Sequence, residues 1–117
     1  MASEYSPNHP TQVINYVSCH DDLCLHDKII YSAPEGASDK EKHRFNKLAQ
    51  TIVFTAQGVP FMYAGEELKR DKQRVHNTYQ SPDSINQIDW TFKTTNYDIF
   101  EYYRNLISLR KQHPAFR

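Results

Sequence analysis

The sequence predicts an α/β chain with the order strand, helix, strand, helix, forming a piece of a larger parallel-sheet domain. Three observations predict it. Two short apolar runs, residues 12–18 and 59–64, each end abruptly in carboxylates: His20-Asp21-Asp22 after the first and Glu66-Glu67 after the second. Runs of that shape are buried parallel strands that deliver polar groups at their carboxyl ends. A capped helix lies between them and another closes the chain, which makes a right-handed βαβ unit followed by a helix. Two parallel strands cannot form a stable sheet by themselves, and both faces want cover.

Each element has a local reason. Residues 1–11 hold Pro7, Asn8, His9 and Pro10 and read as an irregular lead-in. In residues 12–18, Val13, Ile14, Tyr16 and Val17 suit a pleated, buried surface. Residues 19–37 read as a loop with a helical turn around Leu23 to Tyr31, interrupted by Pro34 and Gly36. The clearest helix covers residues 38–57. Ser38 and Glu41 have the spacing of a capping box, and Phe45, Leu48, Ala49, Ile52, Val53 and Ala56 follow the rhythm of one buried face. Gly58 stands where a left-handed cap would sit, and Pro60 forbids the helix from resuming. Residues 66–96 lack sustained periodicity and read as a long loop. The last helix runs over 97–112, with Phe100, Tyr103, Leu106, Ile107 and Arg110 on one side. The Asn96 region is expected to cap it, and His113-Pro114 ends it.

Composition removes several function classes. The 117 residues carry 14 Lys plus Arg against 14 Asp plus Glu, so there is no basic excess for nucleic acid. No apolar run approaches the roughly 20 residues that span a bilayer. Met1-Ala2-Ser3-Glu4-Tyr5 is polar and unlike a signal peptide. Eight tyrosines lift the aromatic fraction to 13%. Tyrosine has a flat apolar body and a polar tip, which suits stacking against sugars.

Several residues could carry chemistry. Asp21, fixed at a strand end, could stabilise developing positive charge, and His20 could donate to a substrate oxygen; glycoside hydrolysis needs such groups. Spacing alone favours a plainer role, a cap or loop hydrogen bond. Glu66 and Glu67 read either as acid–base groups or as an acidic helix start. Tyr79, Asp83, Asn86, Asp89 and Trp90, with His76 and Asn77, combine hydrogen-bonding forks and aromatic planes. That mixture fits carbohydrate recognition and equally a polar loop. A metal reading competes through Cys19, His20, Asp21, Asp22, Cys24, His26 and Asp27, all ligand types. There is no C-x-x-C pair and no EF-hand spacing, so no metal or other cofactor is expected, and both cysteines read as reduced.

Four stretches in order resemble the α-amylase superfamily, glycoside hydrolase family 13, and within it the type I pullulanases. They are residues 16–22, around His20-Asp21-Asp22; 57–67, from Gln57-Gly58-Val59-Pro60 to Glu66-Glu67; 77–90, ending Asp89-Trp90; and 103–117. The resemblance covers nearly the whole chain. It implies the last quarter of a (β/α)8 barrel, about strand 7 to helix 8, with no complete independent domain. It implies that Asp21 is the transition-state-stabilising carboxylate and that His20, Asp22, Tyr79, Asp83, Asn86 and Trp90 bind an α-glucan such as pullulan, starch or glycogen branches. The family's nucleophile and general acid belong to earlier strands, so the isolated chain is expected to be inactive. Asp22 stands where the family usually has Asn, and His26 where related pullulanases have Trp. Glu66 and Glu67 resemble a structural and subsite-lining pair. The rival readings are a non-catalytic carbohydrate-binding module and a structural or metal-binding domain built on Cys19 to Asp27. Apolar faces around Ile14, Val17, Phe61 and Tyr63 lack neighbours in this scheme, so the chain is expected to self-associate.

Overall fold

The computed structural model describes residues 6–116; the polar start at residues 1–5 and the terminal Arg117 lie outside the described residues. Strand β1 is Ile14–Asn15 and strand β2 is Val59–Pro60. They pair in parallel, with Ile14 opposite Val59 and Asn15 opposite Pro60. Backbone bonds from Val59 N to the Val13 oxygen (2.8 Å) and from Phe61 N to the Asn15 oxygen (2.9 Å) hold the register. The predicted order is therefore present, but the ladder is two residues long where the sequence predicts seven and six. Pro60 has no N–H to extend it, and each strand has one partner among the described residues.

The helices are α1 (Leu25–Ser32), α2 (Asp39–Thr55), α3 (Asp83–Asn86), α4 (Phe92–Thr95) and α5 (Tyr97–Gln112). The α2 capping box forms: Ser38 Oγ accepts from Glu41 N at 3.3 Å, and a Glu41 carboxylate oxygen accepts from Ser38 N at 2.8 Å. At the other end Gly58 is not the helix cap. The helix closes with an ordinary bond from Ala56 N to the Ile52 oxygen. Arg110 of α5 then donates to the carbonyls of Phe54, Ala56 and Gly58 at 2.9, 2.7 and 2.5 Å. A cation there satisfies orphan carbonyls and complements the helix dipole. Gly58, at φ +109°, serves a close approach instead: a Cβ would lie 2.8 Å from the Val13 oxygen. Asn96 precedes α5 without a side-chain cap and donates to the Leu68 carbonyl at 3.1 Å.

Packing of α2 corrects the sequence reading. Its buried residues are Asn46, Gln50, Val53 and Phe54, while Phe45, Leu48 and Ile52 of the predicted face are exposed. Val53, Phe54 and Leu106 form the core cluster, with Val17, Met62, Tyr102 and Ile107 against it. Lys47 and His43 of α2 flank Asp98 of α5 at 3.0 and 3.5 Å, and Thr51 bonds the Tyr102 hydroxyl at 2.7 Å. These contacts pack α2 against α5, with Val17, just past β1, against their shared core; the chain there reaches Lys28 of α1 and Glu66. No described helix is long and apolar enough to cross a membrane.

Candidate active site

The exit of β1 is built residue by residue. Val17 offers its carbonyl to the Lys28 ammonium at 2.8 Å. Ser18 is buried; its hydroxyl donates to the Glu66 carboxylate and accepts from Leu25 N at 3.2 Å. Gln50 donates to the second Glu66 oxygen at 2.8 Å. Beside it, the Tyr103 hydroxyl donates to Asn46 Oδ1 at 3.0 Å. A polar network thus sits directly under the strand end. Burial pushes the Glu66 carboxyl up to about 7, against the lowering effect of its hydrogen bonds. Glu66 is therefore an interior brace and not an acid pair that serves a helix dipole. Glu67 turns back to accept from Gly65 N at 3.0 Å.

On this platform His20 and Asp21 face solvent, with side chains 80% and 78% exposed. His20 Nε2 lies 3.4 Å from Asp21 Oδ1, so the chain presents an imidazole and a carboxylate side by side. Asp22 adopts φ +60°, turning the backbone sharply. Its Oδ1 meets His76 Nδ1 at 2.7 Å, and this bond holds the Asp22 carboxyl below the usual carboxylate range. Ile14, Tyr16, Cys19, His20 and Phe61 line a shallow, mainly apolar hollow of about 270 Å³. Tyr16 and Phe61 meet edge to face there, ring centroids 6.0 Å apart.

The long loop is anchored from beneath. Asp27, wholly buried at the third position of α1, accepts from Lys72 N (3.2 Å), Arg74 N (3.0 Å) and the Cys24 thiol (2.9 Å). Burial, with Asp27 alongside, pushes the Cys24 thiol up to about 12, so it stays protonated. Cys19 and Cys24 are free thiols, and among the described residues no three His, Cys, Asp or Glu side chains converge on a metal-sized site. His26 is half-buried, and that burial holds its imidazole below the ordinary histidine range. Arg70 donates to the carbonyls of Ala64 and Asn86, its guanidinium 4.8 Å from the Tyr63 ring centre. Asn86 gives its amide to the carbonyls of Thr78 (2.7 Å) and Ser81 (2.9 Å). So Asn86 is employed in holding the loop. Tyr79, Asp83 and Trp90 are exposed on it.

The structure thus joins His20, Asp21, Asp22 and His76 at one strand exit, whereas no hydrogen bond or ring contact links Tyr79 or Trp90 to them. Sequence reasoning missed Ser18, Gln50 and Lys72 as parts of this assembly. No spacing distinguishes them from surface polar residues. Asp27 carried a usable signal, since an acidic residue three positions into a helix seeks backbone donors.

No family model matches the chain. It is 49% identical over 108 residues to the pullulanase of Bacillus subtilis (strain 168), an alignment covering 92% of the chain and 15% of that enzyme. The crystal structure of that type I pullulanase in complex with maltose superposes with a TM-score of 0.89, over 93% of the chain and 15% of the enzyme chain. Apo pullulanase from Paenibacillus barengoltzii gives a TM-score of 0.91 at 49% identity, over 95% of this chain and 17% of that one. The chain is homologous to one segment of the pullulanases. Pullulanase 1, chloroplastic, from Arabidopsis thaliana extends the relationship at 36% identity over 115 residues, 92% of the chain and 12% of the relative. The chain therefore spans less than a fifth of the length of these pullulanases.

Proposed function

We propose that the chain forms the last quarter of a (β/α)8 catalytic barrel in a retaining glycoside hydrolase that cleaves α-1,6-glucosidic branches. The observation that carries this reading is the exposed His20-Asp21 pair on a buried polar brace at a strand exit. A rigid strand end is where barrels keep chemistry, and a carboxylate there can steady an oxocarbenium-like transition state. Asp21 takes that role and grips sugar hydroxyls, while His20 hydrogen-bonds the ring being cleaved. The hollow with Tyr16 and Phe61 beside His20 suits the apolar face of a sugar ring. Asp22, Tyr79, Asp83, Asn86 and Trp90 complete the α-glucan contacts in this reading. Retaining hydrolysis also needs a nucleophile and a general acid about 5–5.5 Å apart. Neither is assigned within this chain, so the isolated protein is expected to release no reducing sugar from pullulan.

A graft tests the positive half. Residues 12–116 replace the matching segment of the Bacillus subtilis pullulanase, and pullulan hydrolysis is followed. The wild-type graft should retain activity. Asp21→Asn should lower kcat by about a thousandfold or more, because the lost charge acts in the transition state. An active Asp21→Asn graft, or reducing sugar released by the isolated chain, would overturn the assignment.

A further inference from the structure

Lys72 is 1% exposed, an uncommon place for an ammonium group. Its Nζ donates to the His20 carbonyl oxygen at 3.3 Å and lies 5.9 Å from the centre of the Tyr63 ring. Its backbone N–H is fixed by Asp27. Asp27 and Asp21 are the acidic groups whose fields reach the ammonium, and Arg70 is the opposing cation. Burying a charge costs stability unless specific partners offset it. Here the direct partner of the ammonium is the peptide joining His20 to Asp21.

We propose that Lys72 is a positioning residue: its ammonium pins the His20 carbonyl and so fixes the direction of the Asp21 carboxylate. Lys28 holds the Val17 carbonyl three residues earlier, so two lysines from different elements bracket the strand exit. Without Lys72 the exit keeps Lys28, Glu66 and His76 but loses the tie on the peptide that joins His20 to Asp21. The consequence for catalysis rests on the pullulanase reading; the positioning itself does not.

Amide ¹⁵N relaxation on the 117-residue chain tests the positioning directly, in wild type, Lys72→Met, Lys72→Arg and the core variant Leu106→Ala, which removes packing but no bond to the exit. In wild type, His20, Asp21 and Asp22 should be rigid, with order parameters near ~0.85. Lys72→Met should lower them toward ~0.6 at His20 and Asp21 alone, and Lys72→Arg should restore them. If Lys72→Met does not fold, Lys72→Gln serves, since it keeps a polar group too short to reach the carbonyl. Unchanged order in these variants overturns the role, as does equal loosening by Leu106→Ala. In the graft, Lys72→Met should lower kcat about tenfold with KM within about twofold, the pattern of an interaction realised in the transition state. Full kcat in an active graft would count against Lys72. An inactive wild-type graft counts against the pullulanase reading, and the relaxation data then decide Lys72 alone.

Discussion

At the exit of β1, Val17, Ser18, His20 and Asp22 each have a partner from another element: Lys28, Glu66, Lys72 and His76. On the outer face of α2, Leu48 and Ile52 are 59% and 62% exposed, and Ile14 at the head of β1 is 61% exposed. One region is polar and pinned; the other is apolar and unpartnered. That inverts the usual arrangement of a small domain, in which apolar stripes are inside and polar groups outside. The pinned region lies between α1, α2, the β2 exit and the long loop, so its partners all come from within the chain. Leu48 and Ile52 lie exposed on α2, while Ile14 lines the open hollow beside His20. Under the barrel proposal, these bare outer faces are where neighbouring parts of the barrel would pack.

The largest test breaks the pinned region at its deepest point. Asp27→Ala removes a buried carboxylate and strands two backbone N–H groups, while the Cys24 thiol keeps the Arg70 carbonyl as acceptor. Loss of one partner from a buried charged network costs about 3–5 kcal/mol. Urea unfolding followed by circular dichroism, at one low protein concentration, should record that loss. Hydrogen exchange should accelerate first at Lys72 and Arg74. A loss below about 1 kcal/mol would mean that the long loop is held by other contacts.

How much of this was legible beforehand depended on the kind of force at work. The capping box at Ser38 and Glu41, the bounds of α5 and its stop at His113-Pro114 depend on neighbours in sequence, and all three occur in the structure. The buried face of α2 was misread because hydrophobic periodicity cannot see that Asn46 and Gln50 belong to a polar network with Tyr103 and Glu66. Arg110 was correctly placed on the packed side of α5, but its targets, the last carbonyls of α2, lie more than fifty residues away. The strands were overestimated because only two residues of each apolar run find a ladder partner among the described residues. At the site, His20 and Asp21 were readable from their position after an apolar run. Lys72 was not, since a lysine's burial is decided by what folds over it.

The second test sharpens the contrast through charge. Glu66 lies inside the pinned region with its carboxyl raised to about 7 from an ordinary 4.5. The folded state therefore holds this proton at pH values where the unfolded chain has released it. Stability from this site is intact below about pH 4.5, falls as the pH rises, and levels off above about 7, a loss of about 3 kcal/mol in all. Glu66→Gln keeps a neutral, hydrogen-bonding group in the same space, and Gln50 Oε1, unpaired in the structure, can accept from its amide. The difference between the two unfolding curves should therefore grow across that window and cancel other titrations, His26 among them. A difference that is flat with pH would mean Glu66 ionises as it does in water.

The smallest expected effect on stability comes from the other region, and it is informative because it is small. Leu48→Glu with Ile52→Glu places two charges on the exposed side of α2. Glutamate is a good helix former, and both side chains are mostly exposed and outside the core cluster of Val53, Phe54 and Leu106. Unfolding free energy should move by no more than about 0.5 kcal/mol. Association should respond instead. The wild-type chain is expected to form larger species as concentration rises, because bare apolar stripes bury one another. Light scattering over a wide concentration range should show the double variant shifted toward monomer. A wild type that stays monomeric throughout would remove the need for covering protein. A variant that is severely destabilised would mean that Leu48 and Ile52 already pack within the chain, and the contrast between the two regions would collapse.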